Sequence, residues 1–152
     1  MSLRDQLSDD LKTAMREKDK VRLGTLRLVQ TEIKKADIAL KTEGKGEAVD
    51  EVAVLALMQK MVKQRQETIK IYQDNGRTEA AEGEAAEIRV IEAYLPQMKD
   101  EAETKALVEA KIAELGADSM KDMGKVVGAM KAGYPGELDM ALTSKLIKAA
   151  LS

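Results

Sequence analysis

Apolar residues recur along this chain at spacings of three and four, the period of helices, and no segment shows the alternation of a strand. Leu3, Leu7, Leu11, Ala14 and Met15 trace a first stripe running to about Lys18. Ser2 is placed to cap it, and Asp5 to complete a capping box. Asp19 then caps a longer helix, Lys20 to Lys41, in which Leu26, Val29, Ile33, Ala36 and Leu40 step by 3, 4, 3 and 4. Arg22, Arg27, Lys34 and Lys35 carry most of its positive charge and read as a solvated face balanced by Glu32 and Asp37. The segment Thr42 to Glu47 has two glycines and no apolar residue, and predicts the tip of a helical hairpin. Asp50 opens the longest helix, which stops at Asn75-Gly76. One stripe there is Leu55, Met58, Val62, Ile69 and Tyr72, and a second is Val54, Leu57, Met61 and Ile71, so neighbours are expected on two sides. Arg65 interrupts the seam between Val62 and Ile69. It either pairs with a carboxylate or marks an opening, and the pair is the expected outcome.

Thr78 is placed to cap a fourth helix, Glu79 to Tyr94, along Ala81, Ala85, Ile88 and Ile91. Leu95-Pro96 ends it, because the residue before proline is driven out of the helical region. Asp100 and Glu103 open a fifth helix with Leu107, Val108, Ile112 and Leu115 apolar and Gly116 as its stop. A helix over Ser119 to Met130 follows, then a turn at Ala132 to Gly136. Asp139 caps the last helix, with Leu142, Leu146, Ala149 and Ala150 expected inward and Lys145 and Lys148 outward. The predicted fold is all-α. A four-helix N-terminal part containing a long helical hairpin spans residues 1–95, and a three-helix module spans residues 96–152.

The Ser119–Met130 segment has the most unusual surface. Met120, Met123, Val127 and Met130 share one face, while Gly124 and Gly128 sit four apart on another. Each glycine costs a helix about 1 kcal/mol relative to alanine, so two in one short helix need a reason. Close approach of another backbone, protein or nucleic acid, is such a reason. Lys121 and Lys125 lie beside the bare strip, and Ser119 with Asp122 is expected to form a capping box. A capped, cationic N-terminus is a landing place for phosphate. The alternative is tight packing of this helix on its own neighbours, with the lysines merely solvated.

Composition narrows the chemistry. There is no cysteine and no histidine, which removes thiol nucleophiles, disulfides, the usual zinc sites and any imidazole base. Carboxylates with a metal are conceivable, but no catalytic residue, metal ligand or cofactor site is assigned. The only aromatics are three tyrosines, so the core is aliphatic and methionine-rich, as in helical bundles. The net charge of −2 is uneven. Residues 1–41 hold ten Lys/Arg against seven Asp/Glu, and residues 76–115 hold five against ten. Nucleic-acid binding, if present, is therefore expected to be local and salt-sensitive. The longest apolar run, Val52 to Met58, is too short to span a bilayer. The N-terminus has no signal-peptide pattern, and a cytoplasmic location is expected, with no membrane association.

Four pieces together resemble one family: LRLVQTEIKKADI (26–38), MQKMVKQRQETIKIYQDNGR (58–77), EAAEIRVIEAYLPQ (84–97) and SMKDMGKVVGAM (119–130). The chain resembles the YqeY-like proteins over nearly its whole length. That family is similar to the C-terminal tail of the GatB subunit of glutamine-dependent tRNA amidotransferase, and related tails occur on some glutaminyl-tRNA synthetases. The resemblance implies a GatB-tail-like three-helix module that contacts tRNA. On this chain the matching positions are Lys121, Gly124, Lys125, Gly128 and Lys131, followed by Lys145 and Lys148 on the last helix. Many relatives have a basic stretch after the glycine-containing helix, whereas Ala132 to Leu138 here has no Lys or Arg.

Family-level labels speak of carbon–nitrogen ligase activity with glutamine as amide donor. This chain lacks a glutaminase thiol, a Ser–Lys amidase signature and a nucleotide-binding loop. The leading expectation is thus a non-catalytic accessory protein that positions tRNA for an amidotransferase or an aminoacyl-tRNA synthetase. The alternatives are a protein–protein adaptor using its Met and Gly surfaces and a carboxylate-based enzyme.

Overall fold

A computed structural model describes residues 1–152. It is all-helical, with no strand. The helices are α1 (Leu3–Glu17), α2 (Lys20–Thr42), α3 (Glu51–Asp74), α4 (Thr78–Glu92), α5 (Glu101–Leu115), α6 (Met123–Gly133) and α7 (Met140–Leu151); a single 3₁₀ turn, Met120–Asp122, leads into α6. The chain divides into two compact units, Met1–Leu95 and Pro96–Ser152, each with its own apolar core.

The helix starts follow from side chains that can satisfy orphan backbone N–H groups. Ser2, Asp19, Asp50, Asp100 and Asp139 each accept a backbone hydrogen bond from the first turn of α1, α2, α3, α5 and α7. At α5 the box is reciprocal: Asp100 accepts from the Glu103 N–H, and the Glu103 side chain accepts from the Asp100 N–H. Thr78 does not cap α4 as expected; it is the first helical residue. The preceding Arg77 takes the cap position without a side-chain bond. That helix also stops two residues earlier than predicted, at Glu92, ahead of Pro96.

In the first unit Leu3, Leu7, Leu26, Val29, Ile33, Val54, Met58, Met61, Val62, Ile88 and Ile91 form the core. The seam expected on α2 is buried at Leu26, Val29 and Ile33. Met15 and Ile71, placed on stripes by spacing, are instead 51% and 60% exposed. Beside them Ala14 is fully buried and Ile69 packs against the core, so the inward register at these ends runs through those residues instead. Three polar contacts tie the unit together. Arg4 grips Asp37 through two bonds, 2.9 and 2.7 Å. Arg65 donates from Nε to Glu87 at 2.9 Å, with Glu84 at 3.9 Å. The Tyr94 hydroxyl donates to Asp10. Arg65 thus takes the carboxylate partner expected of it rather than opening the seam.

The second unit packs α5, α6 and α7 pairwise around Val108, Val126, Met130, Leu138, Ile147 and Leu151. Thr104 and Thr143 are fully buried, and each hydroxyl donates to the carbonyl of its helix cap, Asp100 or Asp139. Of the residues predicted inward on α7, Leu146 packs against this core, but the register is corrected at the end of the helix. Thr143, Ile147 and Leu151 face the core, while Ala149 and Ala150 are exposed. Spacing could not separate the two registers because Leu142, Leu146 and Ile147 are all aliphatic. The β-branched Ile147 and the self-satisfied Thr143 took the dry side.

Candidate nucleic-acid interface

The Ser119–Met130 segment is not one capped helix. Met120–Asp122 form the 3₁₀ turn, α6 begins at Met123, and Ser119 makes no side-chain cap bond. The Asp122 carboxylate accepts instead from the Asp118 N–H at 3.2 Å. A short Asp side chain turned back to residue 118 cannot also serve Ser119, so the expected capping box is absent. The partial positive charge of a helix N-terminus therefore sits at Met123 and the residues after it, three positions later than predicted.

The inward face of α6 is set by Val126 and Met130, both fully buried, with Met123 and Val127 partly buried beside them. Met120, expected on that stripe, is 43% exposed because it belongs to the 3₁₀ turn. At about 100° per residue, Gly124, Gly128 and Lys131 fall on the side opposite Val126 and Met130, with Lys125 beside them. All four are exposed. A Cβ built at Gly124 or at Gly128 would meet nothing within 4 Å. The bare strip is therefore not used for packing within the second unit, so tight packing of α6 on its own neighbours does not explain the two glycines.

Lys121 is exposed on the 3₁₀ turn, and Lys145 and Lys148 are exposed on α7. None of the five lysines of the second unit's α6–α7 region takes part in an ion pair. Lys121, Gly124, Lys125, Gly128 and Lys131 are thus brought together on one continuous segment. Lys145 and Lys148 lie on a second helix, three residues apart, away from the buried line Thr143–Ile147–Leu151. No buried, catalytically disposed titratable group accompanies them, and no group of three metal-ligating side chains gathers anywhere in the molecule. No helix is long and apolar enough to cross a membrane.

The sequence model of one family, described as Yqey-like protein, matches residues 4–151. The chain belongs to the YqeY-like family. Similar curated proteins include the "Altered inheritance of mitochondria protein 41, mitochondrial" of Lachancea thermotolerans, 35% identical over 72% of this YqeY-like chain and 55% of the yeast protein. Proteins of the same name match from Pyrenophora tritici-repentis, 29% identical over 94% of this chain and 77% of that protein, and from Meyerozyma guilliermondii, 32% identical over 87% and 66%. This chain spans about half the length of the Lachancea relative. The names of these relatives overturn the cytoplasmic location expected from the sequence. The absence of thiols could not have decided it, because a cysteine-free helical domain folds equally well in any compartment and addresses are carried by separate targeting segments.

Proposed function

We propose that this YqeY-like protein is a non-catalytic tRNA-binding accessory module, with the outer face of α6 as the surface that meets the phosphate backbone and Lys145 and Lys148 as outlying contacts. The observation that carries the reading is the open Gly124/Gly128 strip flanked by the unpaired Lys121, Lys125 and Lys131. A strip without side chains lets a ligand backbone approach closely, and unpaired ammonium groups exchange counterions for phosphates without breaking an internal ion pair. The likeness to the GatB tail supplies the kind of RNA and the kind of partner, an amidotransferase or aminoacyl-tRNA synthetase that would perform the chemistry. With neither Cys nor His and no nucleotide loop, the chain has no equipment to perform it alone. The mitochondrial names of the relatives make that organelle the setting the comparison favours.

The test is binding of the full chain to total tRNA at two salt concentrations, with duplex DNA as control, for the native sequence and for Lys121→Ala with Lys125→Ala. Removing one lysine–phosphate pairing lowers the slope of log K against log salt by roughly 0.7 to 0.9. The double variant is expected to bind more weakly, with a flatter salt dependence and unchanged helicity. Native affinity and slope in that variant would remove α6 as the RNA surface. The adaptor reading would then lead, because the same open strip admits a partner helix.

A further inference from the structure

The solvent-facing side of α2 carries a pattern that the first unit does not use. Its buried side is Thr25, Leu26, Val29 and Ile33. On the far side, Val21, Leu28 and Lys35 alternate with Gly24, Thr31 and Ile38 at heptad spacing, the a and d positions of a coiled-coil seam. Val21, Leu28 and Ile38 are 50%, 46% and 57% exposed. A Cβ at Gly24 would meet nothing within 4 Å. The position just before each a residue is basic in four heptads out of four: Lys20, Arg27, Lys34 and Lys41. The acidic residues expected to balance this helix leave that row uncovered: Glu32 flanks the opposite edge of the seam, and Asp37 lies off it. Asp37 is held by Arg4 and by the Val49 N–H, and Glu32 is paired with Lys35. Lys41 reaches Glu47 in the loop, and Lys20, Arg27 and Lys34 have no ion pair.

We propose that this side of α2 docks an amphipathic helix of a partner protein whose flanking positions carry Asp and Glu. The seam is half of a coiled-coil interface, and its one-sided charge row selects the occupant. A second copy of this chain fits poorly. In a parallel pair the row would face Thr25, Glu32 and Ala39, a single carboxylate, and in an antiparallel pair it would face itself. A bilayer surface is disfavoured because the strip is narrow and the chain has no Trp or Phe to seat in the interface. Nucleic acid would use the cations but leave Val21, Leu28 and Ile38 idle. Gly24 costs helix propensity in the middle of an exposed face, and close seating of a partner backbone gives it a use. This surface lies on the first unit and is independent of the α6 reading.

The experiment uses the full chain and two labelled synthetic helices of about four heptads, with leucine and isoleucine at a and d. One carries Glu at its flanking positions and the other Lys. Fluorescence anisotropy is expected to show the acidic helix binding at least tenfold tighter than the basic one. Arg27→Glu with Lys34→Glu should reverse that preference, and Leu28→Glu should abolish binding of both, with circular dichroism unchanged. Equal binding of the two helices, no binding of either, or an unaltered preference in the reversed variant overturns the proposal. A concentration-dependent dimer that Leu28→Glu abolishes would assign the face to self-association instead. Binding of tRNA or of anionic phospholipid vesicles that disappears in the reversed variant, without any preference between the helices, would assign it to a polyanion.

Discussion

Arg4 and Asp37, thirty-three residues apart, form a two-pronged pair that also holds the chain entering α3. Arg4 Nη2 donates to Asp37 and to the Val49 carbonyl at 3.0 Å, and the Val49 N–H donates to Asp37 at 2.8 Å. One carboxylate thus satisfies a guanidinium from α1 and a backbone amide from the loop after α2. The hydrogen bond from Arg4, and then that from Val49, hold the Asp37 carboxyl below its usual range.

A carboxyl whose folded pKa is depressed contributes stability that is fully present above its unfolded value, near 3.9. That contribution disappears as pH falls through the lower folded value. Asp37→Asn should therefore cost about 1 to 2 kcal/mol at neutral pH, toward the low end because Arg4 is 38% exposed and partly screened. The difference from the native chain should shrink in acid. Urea denaturation of both chains at neutral pH and near pH 3 checks this. A difference that stays constant with pH would mean that the pair contributes through shape and not through charge.

Tyr94 gives the opposite sign. Burial, and then its bond to Asp10, push the phenol up to about 12. A group whose folded pKa is raised contributes stability below its unfolded value, about 10, and that stability disappears as pH rises through the folded one. Spectrophotometric titration of the folded chain should show one phenol ionising near pH 12, and Tyr94→Phe should delete that component. The same variant should be less stable by about 1 kcal/mol at neutral pH, because Asp10 Oδ2 loses its donor and keeps only the Arg22 ion pair, 3.7 Å away at Oδ1. A titration curve that Tyr94→Phe does not alter would place the high component elsewhere.

Arg65 is the charge most deeply set in the first unit, with a side chain 14% exposed between Glu84 and Glu87 of α4. Its Nη1 also donates to the Met61 carbonyl one turn back. Arg65→Met should keep the packing of the stem yet leave two carboxylates facing an apolar neighbour, at a cost of roughly 1 to 3 kcal/mol. Adding Glu87→Gln to that variant should recover part of the loss, since the stranded charge is gone. A double-mutant cycle by chemical denaturation measures the coupling. A coupling of zero would mean that the pair is incidental to the α3–α4 contact.

The fold was legible in the sequence wherever one local signal decided the matter. Asp19, Asp50, Asp100 and Asp139 sit immediately before periodic apolar runs, and each caps the helix it announces. Gly76 and Gly116 stop helices in the left-handed region where glycine is tolerated. Lys18 does the same with φ 58° and no sequence signal at all, because its conformation is imposed by α2 starting two residues later. The partner of Arg65 could be expected, but its identity depended on how α3 and α4 align. The site was legible as a set of residue types and not as a geometry. Ser119 and Asp122 match a capping pattern, yet the backbone entered a 3₁₀ turn and Asp122 bonded Asp118. The sequence presents Arg22, Arg27, Lys34 and Lys35 as balanced by Glu32 and Asp37, and Glu32 does pair with Lys35. Only the packing of α1 reveals that Asp37 is already committed to Arg4.

The two glycines of α6 give the sharpest test of what the second unit presents to a partner. Neither has a positive φ, and an added Cβ meets only open space at both. Helix propensity alone then predicts that Gly124→Ala and Gly128→Ala stabilise the folded chain by up to about 1 kcal/mol each. The two sites are i,i+4 neighbours on one face, so the double variant measures any coupling between the two gains. If the strip meets tRNA, Gly128→Leu has opposite effects on the two measurements, raising thermal stability while weakening tRNA binding by filling the space a phosphate backbone occupies. An RNA surface that only used the lysines would tolerate Gly128→Leu with unchanged affinity. A loss of stability in both alanine variants would show that the strip is covered in solution, and that the open space belongs to an interface with another molecule already seated there.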